Sequence, residues 1–266
     1  MKIIKEIIPE PVVSAIKLSR DYIERFPKSL EAFYHPWRRD TTRRLKQYKN
    51  RYQGERCFVI GNGPSLRKMD LTKLRNEYTF GMNRIYLMFP KLGFPTTFFV
   101  SINDLVIEQT AADIQKMNIP KFVSWRARKW LNPADDLYFL YTTYTGPKFE
   151  HKATGRLWEG ATVTFVALQL AYYFGFERVI LIGVDHSFST KGNPNTTVIS
   201  QGDDPDHFHP AYFGKGFRWQ LPDLHTSELA YAMARREFAA EGREVVDATI
   251  GGKLTIFPKT KYDQLF

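Results

Sequence analysis

The sequence predicts a doubly wound α/β domain, in which helices cover both faces of a mostly parallel, Rossmann-like sheet. Short apolar runs rich in Val, Ile and Phe recur along the chain, and segments with helical spacing separate them. Strands that are apolar at nearly every position are typical of a parallel sheet buried on both faces. The length of 266 residues and the apolar content of 43% allow a substantial core.

The pattern assigns seven strands and three long helices. Gly175 and Gly242 directly follow two of the helical segments, a position at which glycine is typical of a helix C-terminal cap. A further helix is expected to begin near Ser65 or Asp70. The strand runs are 57–60, 80–83, 97–101, 121–124, 137–140, 178–182 and 244–247, and the helical segments are 104–117, 162–174 and 227–241.

Two regions fall outside this alternation. Residues 1–51 predict a basic, amphipathic helical arm, because apolar side chains recur at helical spacing and basic residues dominate after Trp37. Two interpretations remain open: the arm rests on an anionic membrane surface or a partner, or it packs as a helical pair on the main domain. Residues 52–266 are predicted to form the Rossmann-like domain. Within it, residues 189–219 are too long for an ordinary connection and predict a functional loop or lid.

Charge and composition narrow the function classes. The 38 Lys and Arg residues exceed the 28 Asp and Glu residues and give a net charge of +10, which attracts nucleotides, nucleic acid, acidic sugars or anionic lipids. Nucleic acid is not favoured, because the basic residues lack the aromatic pattern of a known module. The single Cys57 excludes a disulfide framework. No apolar window is long enough to span a membrane, so we expect a cytoplasmic protein that can associate with the inner face of the membrane.

The first candidate site follows the first strand. Ligands of a doubly wound sheet bind beyond the carboxyl ends of its strands, and Gly61-Asn62-Gly63-Pro64-Ser65 stands there. The glycines allow the backbone to approach a nucleotide phosphate, and Pro64 fixes the turn. Ser65 would cap a helix whose first amides favour an anion. The loop matches neither a Walker loop nor a dinucleotide fingerprint, and a structural turn is the alternative interpretation.

Two further strand ends carry polar side chains. Asn83 and Arg84 follow the second strand, where an amide would bind a base, ribose or phosphate and a guanidinium would clamp an oxyanion. Gly183 and Asp185 follow the most apolar strand, and His186 is the next residue. An acid beside a histidine would serve a metal ion, a ribose or proton transfer. A turn or a cap without chemistry is the alternative at both places.

The late loop concentrates acids and histidines. Asp203 and Asp204 are, with Asp185, the candidate ligands of Mg²⁺, although their spacing matches no recognised metal motif. The favoured interpretation is a histidine that acts as general base on an acceptor hydroxyl. We rank His209 first, because Pro210 fixes it beside an aromatic, glycine-rich stretch that could close over a sugar. The candidate bases are His209, His207 and His225, and that stretch contains Tyr212 and Lys215.

Two of these blocks resemble signatures of a known superfamily. Residues 57–66 resemble the nucleotide-binding opening of bacterial CMP-sialic-acid-dependent sialyltransferases, and residues 175–185 resemble the second signature. The blocks are similar also to the 6-hydroxymethylpterin diphosphokinase-like (MptE-like) proteins and to the motility-associated flagellin glycosylation factors. The superfamily spans about residues 56–257, and the detailed match is confined to the two signatures.

The resemblance implies a Rossmann-like transferase whose first loop and Asn83 hold a nucleotide, with a late histidine as base. Two positions depart from the sialyltransferases. Thr162-Val163-Thr164 stands where they have a Thr-Ser-Gly step, and Thr162 is kept as a nucleotide contact. Ser187 stands where they place a tyrosine that supports the leaving phosphate, and Tyr212 is the candidate substitute. The safer donor is therefore an activated acidic sugar in general.

Three functions are compatible with these residues. The favoured one is a glycosyltransferase that uses a nucleotide-activated, CMP-linked acidic sugar and a glycan or glycolipid acceptor in surface polysaccharide or lipopolysaccharide synthesis, with no required cofactor. The second is a Mg²⁺/ATP-dependent diphosphotransferase on a pterin-like alcohol, which needs Asp185 and the late acids to hold metal. The third is a non-catalytic nucleotide- or nucleic-acid-binding protein, motivated by the basic stretch 38–51.

Overall fold

An eight-stranded sheet, parallel throughout, forms the centre of the molecule in the computed structural model. The model describes the backbone of residues 10–266 and the side chains of residues 19, 22, 23 and 25–266; residues 1–9 of the predicted arm lie outside the described residues. The strands of this sheet are β1 (Arg56–Ile60), β2 (Tyr78–Met82), β3 (Phe98–Ser101), β4 (Lys121–Ser124), β5 (Leu137–Thr143), β6 (Arg156–Trp158), β7 (Arg178–Ile182) and β10 (Glu244–Asp247).

Helices and two apolar cores cover both faces of this sheet. One core joins Val59 and Leu181 to α5, and the other joins Phe58 and Ile180 to α4 and the late loop. Neighbouring strand residues therefore point into opposite cores, as the apolar runs predicted. The predicted doubly wound α/β fold is confirmed. The helices are α1 (Glu10–Tyr34), α2 (Pro36–Leu45), α3 (Phe89–Leu92), α4 (Asp104–Lys116), α5 (Val163–Phe174) and α6 (Leu224–Ala240).

The strand order places a topological switch point between β1 and β7. The sheet runs β10-β7-β1-β2-β3-β4-β5-β6, so the chain builds outward from β1 to β6 and then returns to the other side of β1. The connections after β1 and β7 leave in opposite directions, which opens a crevice at their carboxyl ends. The fold therefore directs a ligand to the loops that begin at Gly61 and Gly183.

Three elements differ from the sequence-based expectation. The segment after β1 forms two 3₁₀ turns, Pro64–Lys68 and Leu71–Leu74, in place of the expected regular helix. The turns are separate because the Asp70 side chain accepts from the Thr72 amide and caps the second turn. The strand β6 was not predicted, because its three residues are too few to show an apolar strand pattern in the sequence. The late loop contains β8 (Thr197–Ile199) paired antiparallel with β9 (Arg218–Gln220).

The second helix of the predicted arm is part of the main domain. Leu45 and Tyr48 lie in the core beside α5, and the Thr41 hydroxyl accepts a hydrogen bond from the Phe139 amide at 3.2 Å. The Arg44 guanidinium donates to the carbonyls of Asp135 and Leu137. The packed domain therefore begins at α2 and not at residue 52, because Thr41 and Arg44 are hydrogen-bonded to the backbone of β5 and of the residues just before it.

The first helix exposes a row of large apolar side chains. Among the described residues, eleven large hydrophobic side chains are exposed, and six of them lie on α1. Ala32, in contrast, is buried against the domain. No helix in the described part of the chain is both long enough and apolar enough to cross a bilayer. The exposed row consists of Tyr22, Ile23, Phe26, Leu30, Phe33 and Tyr34.

Two helix-terminal glycines provide a matched test of the packing. Gly175 and Gly242 both have positive φ, at 95° and 69°. A Cβ on Gly175 would lie 2.8 Å from the Asn50 Cα, whereas a Cβ on Gly242 would meet nothing within 4 Å. Gly242→Ala should cost about 1 kcal/mol of unfolding free energy through φ alone, and Gly175→Ala clearly more. Urea denaturation measures both; equal losses would show that the 46–53 segment does not pack on α5.

Candidate active site

A cavity of about 280 Å³ lies at the switch point, beyond the carboxyl ends of β1, β2 and β7. The start of α5, the start of α6 and the late loop complete its walls. Of the described residues that line it, none is Lys or Arg. It gathers many of the residues predicted from the sequence. Those among its walls are Gly61, Asn62, Gly63, Asn83, Thr162, Gly183, Asp185, Ser187, His207 and Tyr212.

The glycines of the first loop are required by the protein itself. A Cβ on Gly61 would collide with the Gly183 carbonyl, and a Cβ on Gly63 would collide with the Asp185 carboxylate. The amides of both glycines donate to carbonyls of the β7 strand and loop, at 2.7 Å to Ile182 and 2.9 Å to Gly183. The close approach predicted for a phosphate is therefore made by the β7 loop. Substitution here disturbs the fold as well as any ligand.

Ser65 is likewise engaged within the protein. Its amide and hydroxyl donate to the Asp185 carboxylate at 3.1 and 2.6 Å, and the Ser65 side chain is buried. The 3₁₀ turn that Pro64 begins has five residues, too short to present a helix dipole. Pro64 and Ser65 are both absent from the cavity wall, so neither is placed to make the predicted phosphate contact. Asn62 does face the cavity, and its Oδ1 is buried without a hydrogen-bond partner among the described residues.

Asn83 and Arg84 have different surroundings. Asn83 lines the cavity with a φ of 52°, and its Oδ1 accepts from the Ser101 hydroxyl at 3.0 Å, which fixes the amide. Arg84 is not part of the cavity wall. Its guanidinium donates to the carbonyls of Ala211 and Tyr212 and lies over the Phe217 ring. Arg84 therefore anchors the late loop to β2, and is not available as the predicted oxyanion clamp.

The N-terminus of α5 opens into the cavity. Thr162 caps the helix by accepting from the Thr164 amide, and no acidic residue lies in the first turn. The preceding Gly160 and Ala161 both have a φ of 56°, which turns the chain sharply out of β6 and into the helix. The other helix starts at this edge carry a carboxylate: Asp185 on the Ser65 turn, Asp104 on α4 and Asp223 on α6. The α5 terminus thus offers a dipole with no acid on its cap or first turn.

A histidine and a buried aspartate form a dyad on the late loop. The His207 Nδ1 lies 2.8 Å from an Asp204 carboxylate oxygen, which also accepts from the Phe213 amide. The His207 ring stacks on Tyr212 at 4.0 Å between centroids and 6° between planes. Asp204 thereby favours the tautomer with its proton on Nδ1 and leaves Nε2 as an acceptor. The geometry makes His207 a candidate general base in the cavity.

The other two predicted bases lie elsewhere. His209 lines a separate cavity next to Leu66, and its Nδ1 accepts from the Ala211 amide at 3.1 Å. His225 is exposed on the first turn of α6 and is absent from the cavity wall. The ranking that placed His209 first is therefore revised, because two residues along an irregular loop are enough to turn a side chain to its opposite side.

The residues predicted to contact the sugar or leaving group divide similarly. Ser187 is exposed at the cavity wall, and Lys215 is exposed away from it. Tyr212 is fully buried, its hydroxyl accepts from the Arg84 amide at 3.4 Å, and burial raises its pKa above the ordinary value. Tyr212 therefore serves first as the platform under His207 and as a core residue of the late loop.

His186 forms a second histidine–carboxylate pair in the same cavity. Its Nε2 lies 2.9 Å from the Glu228 carboxylate on α6, and its side chain is 7% exposed. Its backbone φ is 55°, in the left-handed region that a histidine rarely adopts. The sequence had placed the residue beside the predicted Asp185 without a partner, because Glu228 stands 42 residues further along the chain.

The candidate metal ligands do not converge. The Asp185 carboxylate is held by Ser65 and that of Asp204 by His207, while Asp203 is exposed. Asp206 accepts from the amide and hydroxyl of Ser189. Across the described residues, no cluster of three or more ligating side chains forms. Of these acids, each one near the cavity already has a protein partner.

An ion-pair network under the cavity was not found from the sequence. Arg126 donates to Asp104 at 2.9 Å and to Glu159 at 2.7 Å, and lies over the Tyr144 ring. Burial raises the pKa of Glu159, and Arg126 opposes that rise. Asp104, Arg126 and Glu159 follow β3, β4 and β6. Each stands just after a strand, so the carboxyl-end rule applied to every strand would have found them.

Backbone strain concentrates at this cavity. Five non-glycine residues of the described chain have positive φ, and four of them line the cavity. Asparagine tolerates this conformation, but alanine and histidine do so at a cost of about 1 kcal/mol or more. Such residues persist where the surrounding structure fixes them, typically at functional sites. The four are Asn83, Ala161, His186 and Asn195.

Comparison with known proteins assigns a family. The solved structure of the MAf glycosyltransferase from Magnetospirillum magneticum AMB-1 matches with a TM-score of 0.48 and 12% identity over 85% of this chain. The chain spans 38% of that protein's chain. Among curated proteins, the comparison found no match.

The family model of the 6-hydroxymethylpterin diphosphokinase MptE-like proteins matches residues 33–191, which include both signatures and α2. The match confirms the resemblance to the diphosphokinase-like proteins, and the family description names a transferase. Because it covers more than half of the chain, this chain belongs to the MptE-like family.

Proposed function

We propose that this protein is a glycosyltransferase that uses a sugar activated by a nucleoside monophosphate. The observation that carries the proposal is the charge of the cavity: its described walls contain two histidines, the α5 terminus and four acids that each have a protein partner, but no Lys or Arg. A helix N-terminus and neutral hydrogen-bond donors match the single negative charge of a phosphodiester. A triphosphate donor would need cationic side chains, and these walls contain neither Lys nor Arg.

A donor in this cavity would place its phosphate at the start of α5. The Thr162 cap and the Ala161 turn form the wall there, and Asn83 faces the same space from β2. Asn62 presents a buried Oδ1 that has no partner among the described residues, and an acceptor of this kind suits an amino or hydroxyl group of a base or ribose. The nucleoside part would therefore lie over the β1 and β2 loops.

His207 is the proposed general base. Its Nε2 would take the proton of the acceptor hydroxyl as that oxygen attacks the anomeric carbon, and the sugar–phosphate bond would break on the opposite side. Asp204 would hold the ring and stabilise the imidazolium that forms. CMP is the nucleotide that the sequence resemblance favours. The acceptor class, a glycan or glycolipid of a surface polysaccharide, stays a proposal of the same kind.

The family description supports a second candidate, diphosphate transfer from ATP to a pterin-like alcohol. That reaction requires cations to neutralise the triphosphate. The acids that would hold Mg²⁺ are engaged within the protein, and Arg126 is paired with two carboxylates. The cavity thus supports glycosyl transfer better than phosphoryl transfer. The chelator EDTA distinguishes the two reactions: glycosyl transfer should persist in EDTA, whereas diphosphate transfer should be lost.

The α1 helix is the proposed contact with an anionic membrane. Its six exposed apolar side chains precede a stretch in which Arg39, Arg43, Lys46 and Lys49 are all exposed. Aromatic and aliphatic side chains next to Lys and Arg are typical of helices that lie in the interface of anionic bilayers. This contact would hold the transferase near a lipid-linked acceptor.

A charge placed at the α5 terminus tests the phosphate position. Ala161 has a φ of 56°, which both Asp and Asn tolerate better than Ala, so neither variant should lose stability. Ala161→Asp should weaken CMP binding at least about tenfold by repulsion, whereas the matched Ala161→Asn should stay within about twofold of wild type. Isothermal titration measures both; equal affinities for the two variants would place the phosphate elsewhere.

The base assignment is tested on neighbouring histidines. His207→Gln should lower turnover by about 10²–10⁴-fold with donor affinity nearly unchanged, because a general base acts in the transition state. His209→Gln, in the same segment but facing the other cavity, is the control and should keep at least half of the activity. The release of CMP from CMP-linked sialic acid provides the assay. A larger loss in the His209 variant would restore the assignment made from the sequence.

The membrane contact is tested on the exposed row of α1. The double variant Phe26→Ser/Phe33→Ser should lower co-sedimentation with phosphatidylglycerol vesicles, since it removes apolar surface that would enter the bilayer interface. Leu229→Ser, at another exposed apolar residue, is the matched control. Binding to phosphatidylcholine vesicles should be weaker for all proteins. Unchanged sedimentation of the double variant would contradict the proposal. If the variant sedimented like wild type but no longer formed a dimer, the exposed row would be assigned to contact with a second copy of the chain.

A further inference from the structure

His186 occupies a strained and well-supported position in the cavity. Its segment is fixed from three sides: the Gly63 amide donates to the Gly183 carbonyl, the Val184 amide donates to the Thr249 hydroxyl, and the Lys253 amide donates to the Asp185 carbonyl. The positive φ of His186 therefore does not relax, and its side chain is held against α6.

The ring of His186 has one nitrogen free for a ligand. Its Nε2 is paired with Glu228, and Nδ1 makes no hydrogen bond to any described residue. The side chain is 7% exposed and belongs to the cavity wall, so a ligand in the cavity is the natural partner of Nδ1. Glu228 is placed to accept the Nε2 proton, and Nδ1 is a second donor when the ring carries both protons.

We propose that His186 is a further catalytic residue, which donates a hydrogen bond from Nδ1 to the phosphate oxygen that the sugar leaves. The inference rests on the proposed glycosyl transfer and assigns a role that Ser187 and Tyr212 do not fill: Ser187 is exposed, and the Tyr212 hydroxyl is buried beside Arg84. Glu228 is then a positioning residue that acts through the ring. In this proposal His207 acts on the acceptor hydroxyl, and His186 acts on the leaving phosphate.

The proposed step forms one bond and breaks one bond at the anomeric carbon. The acceptor oxygen forms a bond to the anomeric carbon and gives its proton to the His207 Nε2. The bond between that carbon and the phosphate oxygen breaks, and its electron pair stays on the oxygen. His186 stabilises the new charge on that oxygen through its Nδ1 hydrogen bond, so the nucleoside monophosphate leaves as a dianion or takes the proton from His186.

Two variants separate chemistry from structure. His186→Gly removes the donor and relieves the positive φ, which offsets part of the cost of losing the buried ring and its contact with Glu228, so the variant should still fold. His186→Asn tolerates the same φ and keeps an N–H group close to the position of Nδ1. His186→Gly should lose about 10²–10³-fold in turnover, the usual effect of one transition-state donor, and His186→Asn should recover at least tenfold of that loss. A residue with a purely structural role predicts lost stability instead.

A binding measurement provides a readout that does not depend on turnover. Titration with CMP and with cytidine gives the preference of each protein for the phosphate. That preference should fall about tenfold in His186→Gly and be partly recovered in His186→Asn, while the affinity for cytidine stays unchanged. Urea denaturation of both variants verifies that the fold is intact.

The outcomes distinguish this inference from the proposed function. If wild type binds CMP more tightly than cytidine and releases CMP from CMP-linked sialic acid, but His186→Gly keeps both properties, the role of His186 is overturned and the glycosyltransferase stands. If wild type neither binds CMP nor releases it, the proposed function fails and the inference fails with it. Loss in His186→Gly with recovery in His186→Asn supports both.

Discussion

The contact between the loops that follow β1 and β7 is the constraint on which the site depends. Gly61 and Gly63 allow the two loops to touch, and Asp185 closes the contact by accepting both hydrogen bonds of Ser65. Side chains at either glycine would collide with the β7 loop, so the crevice at the switch point is partly filled by protein. The contact fixes where β7 ends, and therefore where His186 leaves the strand and enters the cavity.

This constraint explains why many residues predicted from the sequence share one cavity while some of them make contacts other than those expected. The strand pattern identified the core strands of the sheet, and the carboxyl-end rule identified Asn83 and Asp185. The resemblance to the sialyltransferases added Thr162, and all three line the same cavity. A glycine pair, however, reads the same whether it approaches a phosphate or another loop. Asp185 removed Ser65 from the ligand set through a contact across 120 residues, which no local pattern encodes.

The late loop shows a second limit of sequence reasoning. Its length and composition predicted a functional segment, and it does contribute His207 to the cavity. Which histidine faces inward depends on the stacking of His207 on Tyr212 and on the buried Asp204, both of which require the folded loop. The two histidine–carboxylate pairs differ in how far the sequence reveals them: Asp204 stands three residues before His207, whereas Glu228 on α6 lies 42 residues from His186.

The distribution of charge connects the cavity to the rest of the molecule. A net charge of +10 predicts attraction of anions, yet the described cavity walls contain no Lys or Arg, and the nearby Arg84 and Arg126 are paired with protein groups. The positive charge instead lies on other surfaces, including the stretch after α1. Recognition in the cavity must then depend on hydrogen bonds and on the α5 dipole, which act at short range. The excess charge acts over longer distances, and it suits the anionic surface proposed above as the partner of α1.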